Sequence, residues 1–158
     1  MEFKHSFDIP ADRDTLWDIL MDVHQVAACI DGVESLQVVD PDHFEGRLGV
    51  KMGPVRLAFN GTVEVIRRDR DNWSAAFVAS ANDRKAGGGF TAELAMQLDT
   101  TATAERTSNL DVTLSTSLTG RIGQLGRPLI KKRVETMLQD FASALTAHVE
   151  TRTQGVNR

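Results

Sequence analysis

Four histidines and one cysteine are the side chains here with the broadest chemical range. His5 alternates with Phe3 and Phe7, so it lies on the apolar side of an N-terminal strand pattern. From there it could hydrogen-bond a ligand carbonyl or act as acid or base. A buried histidine bonded to backbone fits the same position. Asp22 and His24 stand two apart, and Asp40, Asp42 and His43 cluster. A metal site needs further ligands at workable spacing. Neither group has them, and turn and helix-end roles explain both, so no metal is assigned. Cys29 has no base beside it, and a thiol nucleophile needs an activating neighbour. No catalytic residue is assigned.

Two glycine groups suit movement rather than bond-making. Gly87, Gly88 and Gly89 are not followed by the Lys-Ser or Lys-Thr and helix of a phosphate loop. They read as a hairpin loop that could flank a cavity mouth and gate it. Gly120, Gly123 and Gly126 allow a ligand or a loop to approach the backbone closely. They could line or gate the same mouth, or simply turn the chain. Arg121, Arg127, Lys131 and Lys132 make the start of the last helix basic. That patch could dock an acidic partner or anionic headgroups, or be a solvated helix face.

These residues sit in a chain of 158, the length of one domain. At 41% hydrophobic and 25% charged it can bury a core without disulfide or metal. A net charge of −4 gives no electrostatic footprint for nucleic acid. MEFKHSFDIP lacks a signal-peptide core, and no apolar run approaches a membrane span. The expected location is the cytoplasm. Residues 1–149 read as one ligand-binding domain and 150–158 as a polar tail.

Period-2 alternation predicts seven antiparallel strands, each with one apolar face. Two short helices separate the first strand from the second, the latter of them at His24 to Cys29. Gly53-Pro54 reverses the chain between the third and fourth strands. Near the C-terminus, Leu129, Ile130, Val134, Met137, Leu138, Phe141 and Leu145 fall on one helical stripe. That helix is expected to begin at Pro128, after an irregular turn over 120–127. The fold class is therefore α+β, a curved sheet wrapped around a long C-terminal helix. Gly46 and Gly61, inside strands, favour the necessary bending.

The inward set includes Gly46, Gly61, Ala75, Ala79, Ala81 and Ala92. Small residues where a curved sheet bows away from its helix leave space, and empty apolar space is costly unless used. The expected lining is Leu48 and Val50, Leu57 and Phe59, Phe77, Phe90 and Leu94, and Leu114, taken strand by strand. Leu129, Met137 and Phe141 face them from the helix, and His5 supplies a polar contact.

Three segments carry a family resemblance: "DIPADRDTLWDILMDVHQVAACIDGVESL", "KMGPVRLAFNGTVEV" and "LTGRIGQLGRPLI". Over about residues 2 to 148 the chain resembles the carbon monoxide dehydrogenase G-subunit family, of the START and polyketide-cyclase-like helix-grip superfamily. The Lys-x-Gly-Pro-Val run followed by Phe-x-Gly is the most specific part. The resemblance implies an apolar cavity holding a lipophilic molecule, a quinone-like one being the attractive case. It also implies partnership with a molybdenum hydroxylase of the carbon monoxide dehydrogenase type. A cyclase- or hydrolase-like enzyme and a ligand-independent assembly factor are the alternatives. Asp31 stands where the family usually has proline. Some members carry a C-terminal extension that can contact membrane; here at most transient membrane contact is expected.

Overall fold

The structure is a computed structural model describing residues 1–101 and 106–156, with side chains through 151. The order is β1 (Glu2–Ile9), α1 (Arg13–Leu20), α2 (Val23–Ala28), β2 (Val33–Asp40), β3 (His43–Met52), β4 (Val55–Asp69), β5 (Ser74–Asp83), β6 (Gly88–Thr100) and β7 (Ser108–Gly120). A 3-10 turn (Arg121–Leu125) leads into α3 (Arg127–Val156). The antiparallel sheet runs β1-β7-β6-β5-β4-β3-β2.

The register follows from alternation. Phe3 pairs with Leu114, Leu114 with Leu94, Leu94 with Phe77, and Phe77 with Val65. A one-residue slip would turn these apolar residues to water, so burying one face fixes the pairing. Gly46 and Gly61 oppose each other across β3 and β4. A Cβ at Gly61 would strike Ser80 O and Ala81 Cβ, so the bare residue permits the tight curl there. A bulge between Val65 and Arg67 bends β4 further.

Local chemistry sets the helix ends. Asp22 accepts from the N–H groups of His24 (3.0 Å) and Gln25 (3.4 Å), so α2 starts at Val23, one residue before the sequence placed it. Arg127, not Pro128, opens α3. Pro128 is tolerated at the second position because the first turn's N–H groups have no helical partner. His148 Nε2 and Gln25 Oε1 lie 2.8 Å apart, joining α3 to α2. Residues 150–156 continue α3; residues 157–158 of the expected polar tail lie outside the described residues. No helix among the described residues is long and apolar enough to cross a membrane.

Trp73, at φ 56°, has the guanidinium groups of Arg70 (3.7 Å) and Arg13 (4.3 Å) over its ring. Trp17 meets its edge at 6.2 Å, and Arg70 pairs with Asp14. These contacts tie α1 to the β4–β5 turn.

At the β2–β3 turn, His43 Nδ1 lies 2.8 Å from Asp40 Oδ1, and its Nε2 lies 3.5 Å from Glu64. The Asp40 hydrogen bond first, then the surrounding carboxylates, raise the His43 pKa above its ordinary 6.5. A raised imidazole pKa means the tie is complete below pH 6.5 and fades as pH rises through the folded value. An NMR titration is expected to place the His43 midpoint above 6.5, and Asp40→Asn to lower it. An unchanged midpoint in the variant would remove Asp40 as the cause.

Candidate functional site

Helix α3 bridges the curl of the sheet. Its backbone approaches β1 most, with β3 and the 3-10 turn next. Two separate apolar clusters seal the ends. One joins α1 and α2 to Ala75, Met96, Leu98, Leu110 and Val112, closed by Leu145 and Val149 of α3. The other gathers Val50, Met52, Leu57 and Phe59 with Ala81, Ile122 and Ile130.

The middle is different. Val63, Val65, Ala79, Ala92 and Leu114 belong to neither cluster, and all keep partial exposure on the inward face. Above this band the helix presents Val134, Met137, Leu138 and Phe141, also partly exposed, although Ile130 and Leu145 at either end are buried. Exposure thus rises on both facing surfaces at once. Side chains that interdigitated across the gap would exclude water at the centre first. Here space adjoins the centre while the ends are closed.

The register explains why. Thr116, Ala92, Ala79 and Val63 form one row across β7, β6, β5 and β4. Three interstrand gaps make it about 14 Å long. Larger residues flank it: Leu114, Leu94 and Phe77 on one side, Leu118 and Phe90 on the other.

The expected lining residues divide between sealed end and band. Val50, Leu57 and Phe59 are buried in the second cluster, and Leu48 and Leu129 pack against it half-buried. Phe90 meets Phe59 edge-on at 4.9 Å. Phe77, Leu94 and Phe141 reach the band from the first cluster, Phe90 and Met137 from the second. His5 is half-buried, stacked on Phe7 at 5.9 Å and opposite Val112, in a row that ends in the first cluster.

The two glycine groups are tied together. Gly88 pairs with Gly120, and Arg121 N–H donates to Gly87 O at 2.8 Å. A Cβ on Gly88 would strike Thr119 O and one on Gly120 would strike Gly87 O, so the strands need both positions bare. Gly89 is buried, whereas Gly123 would accept a Cβ at ordinary contact distance and Gly126 caps the 3-10 turn. Movement at 87–89 must therefore carry 120–121 with it. Arg121, Arg127, Lys131 and Lys132 are exposed, without an ion-pair partner among the described residues.

Sequence reasoning assigned no role to two polar groups. Thr116 sits in the inward row, and its Oγ1 is buried with no hydrogen-bond partner among the described residues. Asp83 is 5% exposed and accepts from Ala58 N–H at 2.7 Å and Ala86 N–H at 3.0 Å. Its place in the turn sequence NDRKAGG reads as an ordinary turn aspartate. Cys29 is buried, and burial raises its thiol pKa. Among the described residues no three His, Cys, Asp or Glu side chains gather where a metal could bind.

A surface groove of about 470 Å3 runs between β1 and α3, lined by Ser6, Phe7, Asp8, Ile9, Ala142, Ser143 and Thr146. It lies at the free edge of β1 and includes none of the band residues.

The architecture recurs in solved structures. A conserved protein from Geobacillus kaustophilus superposes with a TM-score of 0.85 at 18% identity over 96% of each chain. A START superfamily protein from Mycobacterium smegmatis gives 0.69 at 16%, covering 95% of this chain and 97% of its own. The Zhui aromatase/cyclase from a Streptomyces species gives 0.68 at 17%, covering 97% and 95%. At these identities the likeness establishes the START-like helix-grip fold alone. No relative is found among curated proteins. The family model for the carbon monoxide dehydrogenase G-subunit (CoxG) matches residues 6–150, spanning the Gly-Pro hairpin, the glycine-tied turn and most of α3. On that match the chain belongs to the CoxG family.

Proposed function

We propose that this protein binds a lipophilic small molecule, quinone-like in character, across the inward band and carries it to a molybdenum hydroxylase of the carbon monoxide dehydrogenase type. The observation behind the reading is the half-open apolar middle between two sealed clusters. Affinity comes from removing apolar ligand surface from water, at roughly 25 cal/mol per Å2. Lining is assigned to Phe77, Phe90, Leu94 and Leu114 from the sheet, with Met137 and Phe141 above them. The joined segments 87–89 and 120–126 form the gate. Arg121, Arg127, Lys131 and Lys132 form the docking face, where unpaired cations meet an acidic partner surface or, transiently, anionic headgroups.

No chemical step is assigned. His5 has Phe3, Phe7 and Val112 as inward-face neighbours, and a cyclase would need a second titratable group beside it. Family membership supports the hydroxylase partnership. Native mass spectrometry of protein purified from its own host, followed by organic extraction, tests the reading. One lipophilic molecule per chain is expected; repeated recovery of empty protein would reject carriage.

A further inference from the structure

We infer that Thr116 is the polar anchor of the ligand, its hydroxyl donating to a carbonyl oxygen on an otherwise apolar molecule. This rests on the binding reading above and assigns the ligand's orientation within it.

Thr116 occupies an inward position between Leu114 and Leu118 on β7, opposite Ala92. Its Oγ1 is buried and has no hydrogen-bond partner among the described residues. A hydroxyl removed from water without a partner is destabilising. Valine has the same branched shape and would occupy this strand position without that cost. The backbone that carries the hydroxyl is fixed. Thr116 N–H donates to Met1 O at 2.8 Å, and Thr116 O accepts from the Met1 ammonium at 2.8 Å. Oγ1 itself has almost no surface open to the band although Thr116 as a residue is partly exposed, so a χ1 turn that exchanges methyl and hydroxyl is what brings the donor inward, beside the methyl groups of Ala92 and Ala79. A ligand carbonyl at Thr116 leaves the apolar body lying across β6, β5 and β4 toward Val63. His5 cannot share this role: it pairs with Val112, four residues along β7 and about 13 Å away.

Menadione and methylnaphthalene test the assignment, since both present a fused ring but only menadione has carbonyls. Binding of each is measured by titration on the wild type, Thr116→Val and Thr116→Ser, alongside ligand-free thermal melts. Thr116→Val is expected to weaken menadione by about five- to tenfold, the worth of one hydrogen bond. Methylnaphthalene should bind it unchanged. Thr116→Ser should keep menadione within about twofold of wild type, since the donor remains. Without ligand, Thr116→Val should melt about 2–4 °C higher, because an unpaired hydroxyl has gone.

Menadione binding that is equal in wild type and Thr116→Val would overturn the anchor and leave the apolar band standing. A lower melting temperature for ligand-free Thr116→Val would also overturn it, since the hydroxyl would then be bonded in the free protein. If neither probe binds the wild type, the binding reading fails, and the anchor with it.

Discussion

Ala92→Phe is expected to fold, to melt at or above the wild type, and to lose ligand by more than tenfold. Ala92 lies mid-row, opposite Thr116 on one strand and Ala79 on the other, and like Val134, Met137, Leu138 and Phe141 of α3 it is partly exposed. In a close-packed interior a phenyl ring at this position forces neighbours off their rotamers and costs about 1–3 kcal/mol. In a band with adjoining space the ring fills room already present, and cavity filling stabilises by about 0.5–2 kcal/mol. The sign of the stability change therefore reports whether the band is hollow, before any ligand is known. Organic extraction of the variant from the native host then reports binding. A variant that loses more than about 1 kcal/mol would show the middle to be packed like the ends. If Ala92→Phe is stable and empty yet still supports the hydroxylase in the host, the protein acts through its surface as an assembly factor and not as a carrier.

How much of this was legible in the sequence differs between face and depth. Alternation assigns a face, and every inward pair from Phe3–Leu114 to Ala81–Phe90 follows it. The two short helices, the Gly-Pro reversal and the irregular turn before α3 were equally readable, because each depends on local chemistry. Depth is not local. Leu57 and Val63 sit in one strand with the same alternation, yet Leu57 is sealed and Val63 is half-open. What separates them is where α3 crosses, and no residue in β4 encodes that alone. The unpaired hydroxyl of Thr116 is likewise invisible, since threonine in a strand is ordinary and its lack of a partner is a property of the space around it. Asp83 follows the same logic. Its partner Ala58 is 25 residues away, just beyond the Asn60–Asn82 pair that ends the β4–β5 ladder, and the bond depends on how the two strands continue past that pair.

Asp83→Ala is expected to destabilise the protein by about 2–5 kcal/mol, because two backbone donors lose a charged acceptor. One donor, Ala58 N–H, lies in β4, and the other, Ala86 N–H, lies in the β5–β6 turn. Asp83 O also accepts from Gly87 N–H at 3.0 Å, and Gly87 O accepts from Arg121 N–H at 2.8 Å. The side chain holds Ala86 and the backbone carbonyl holds Gly87, so losing the carboxylate loosens the turn that the second bond completes, and amide exchange should accelerate at residues 86–89 and 120–121 together. Acceleration confined to one of them would show that the segments move separately. The pH dependence separates a charge effect from lost packing. The bond from Ala58, then that from Ala86, holds the Asp83 carboxyl below its ordinary 3.8. A depressed carboxylate pKa contributes stability above the unfolded value and loses it as pH falls through the folded one. The gap in urea midpoint between wild type and variant should be steady near neutrality and narrow below pH 3.8. Asp83→Asn, which keeps one acceptor oxygen but no charge, should fall between the two. A gap that stays constant into strong acid would mean that the volume of the side chain, and not its carboxylate, holds the turn in place.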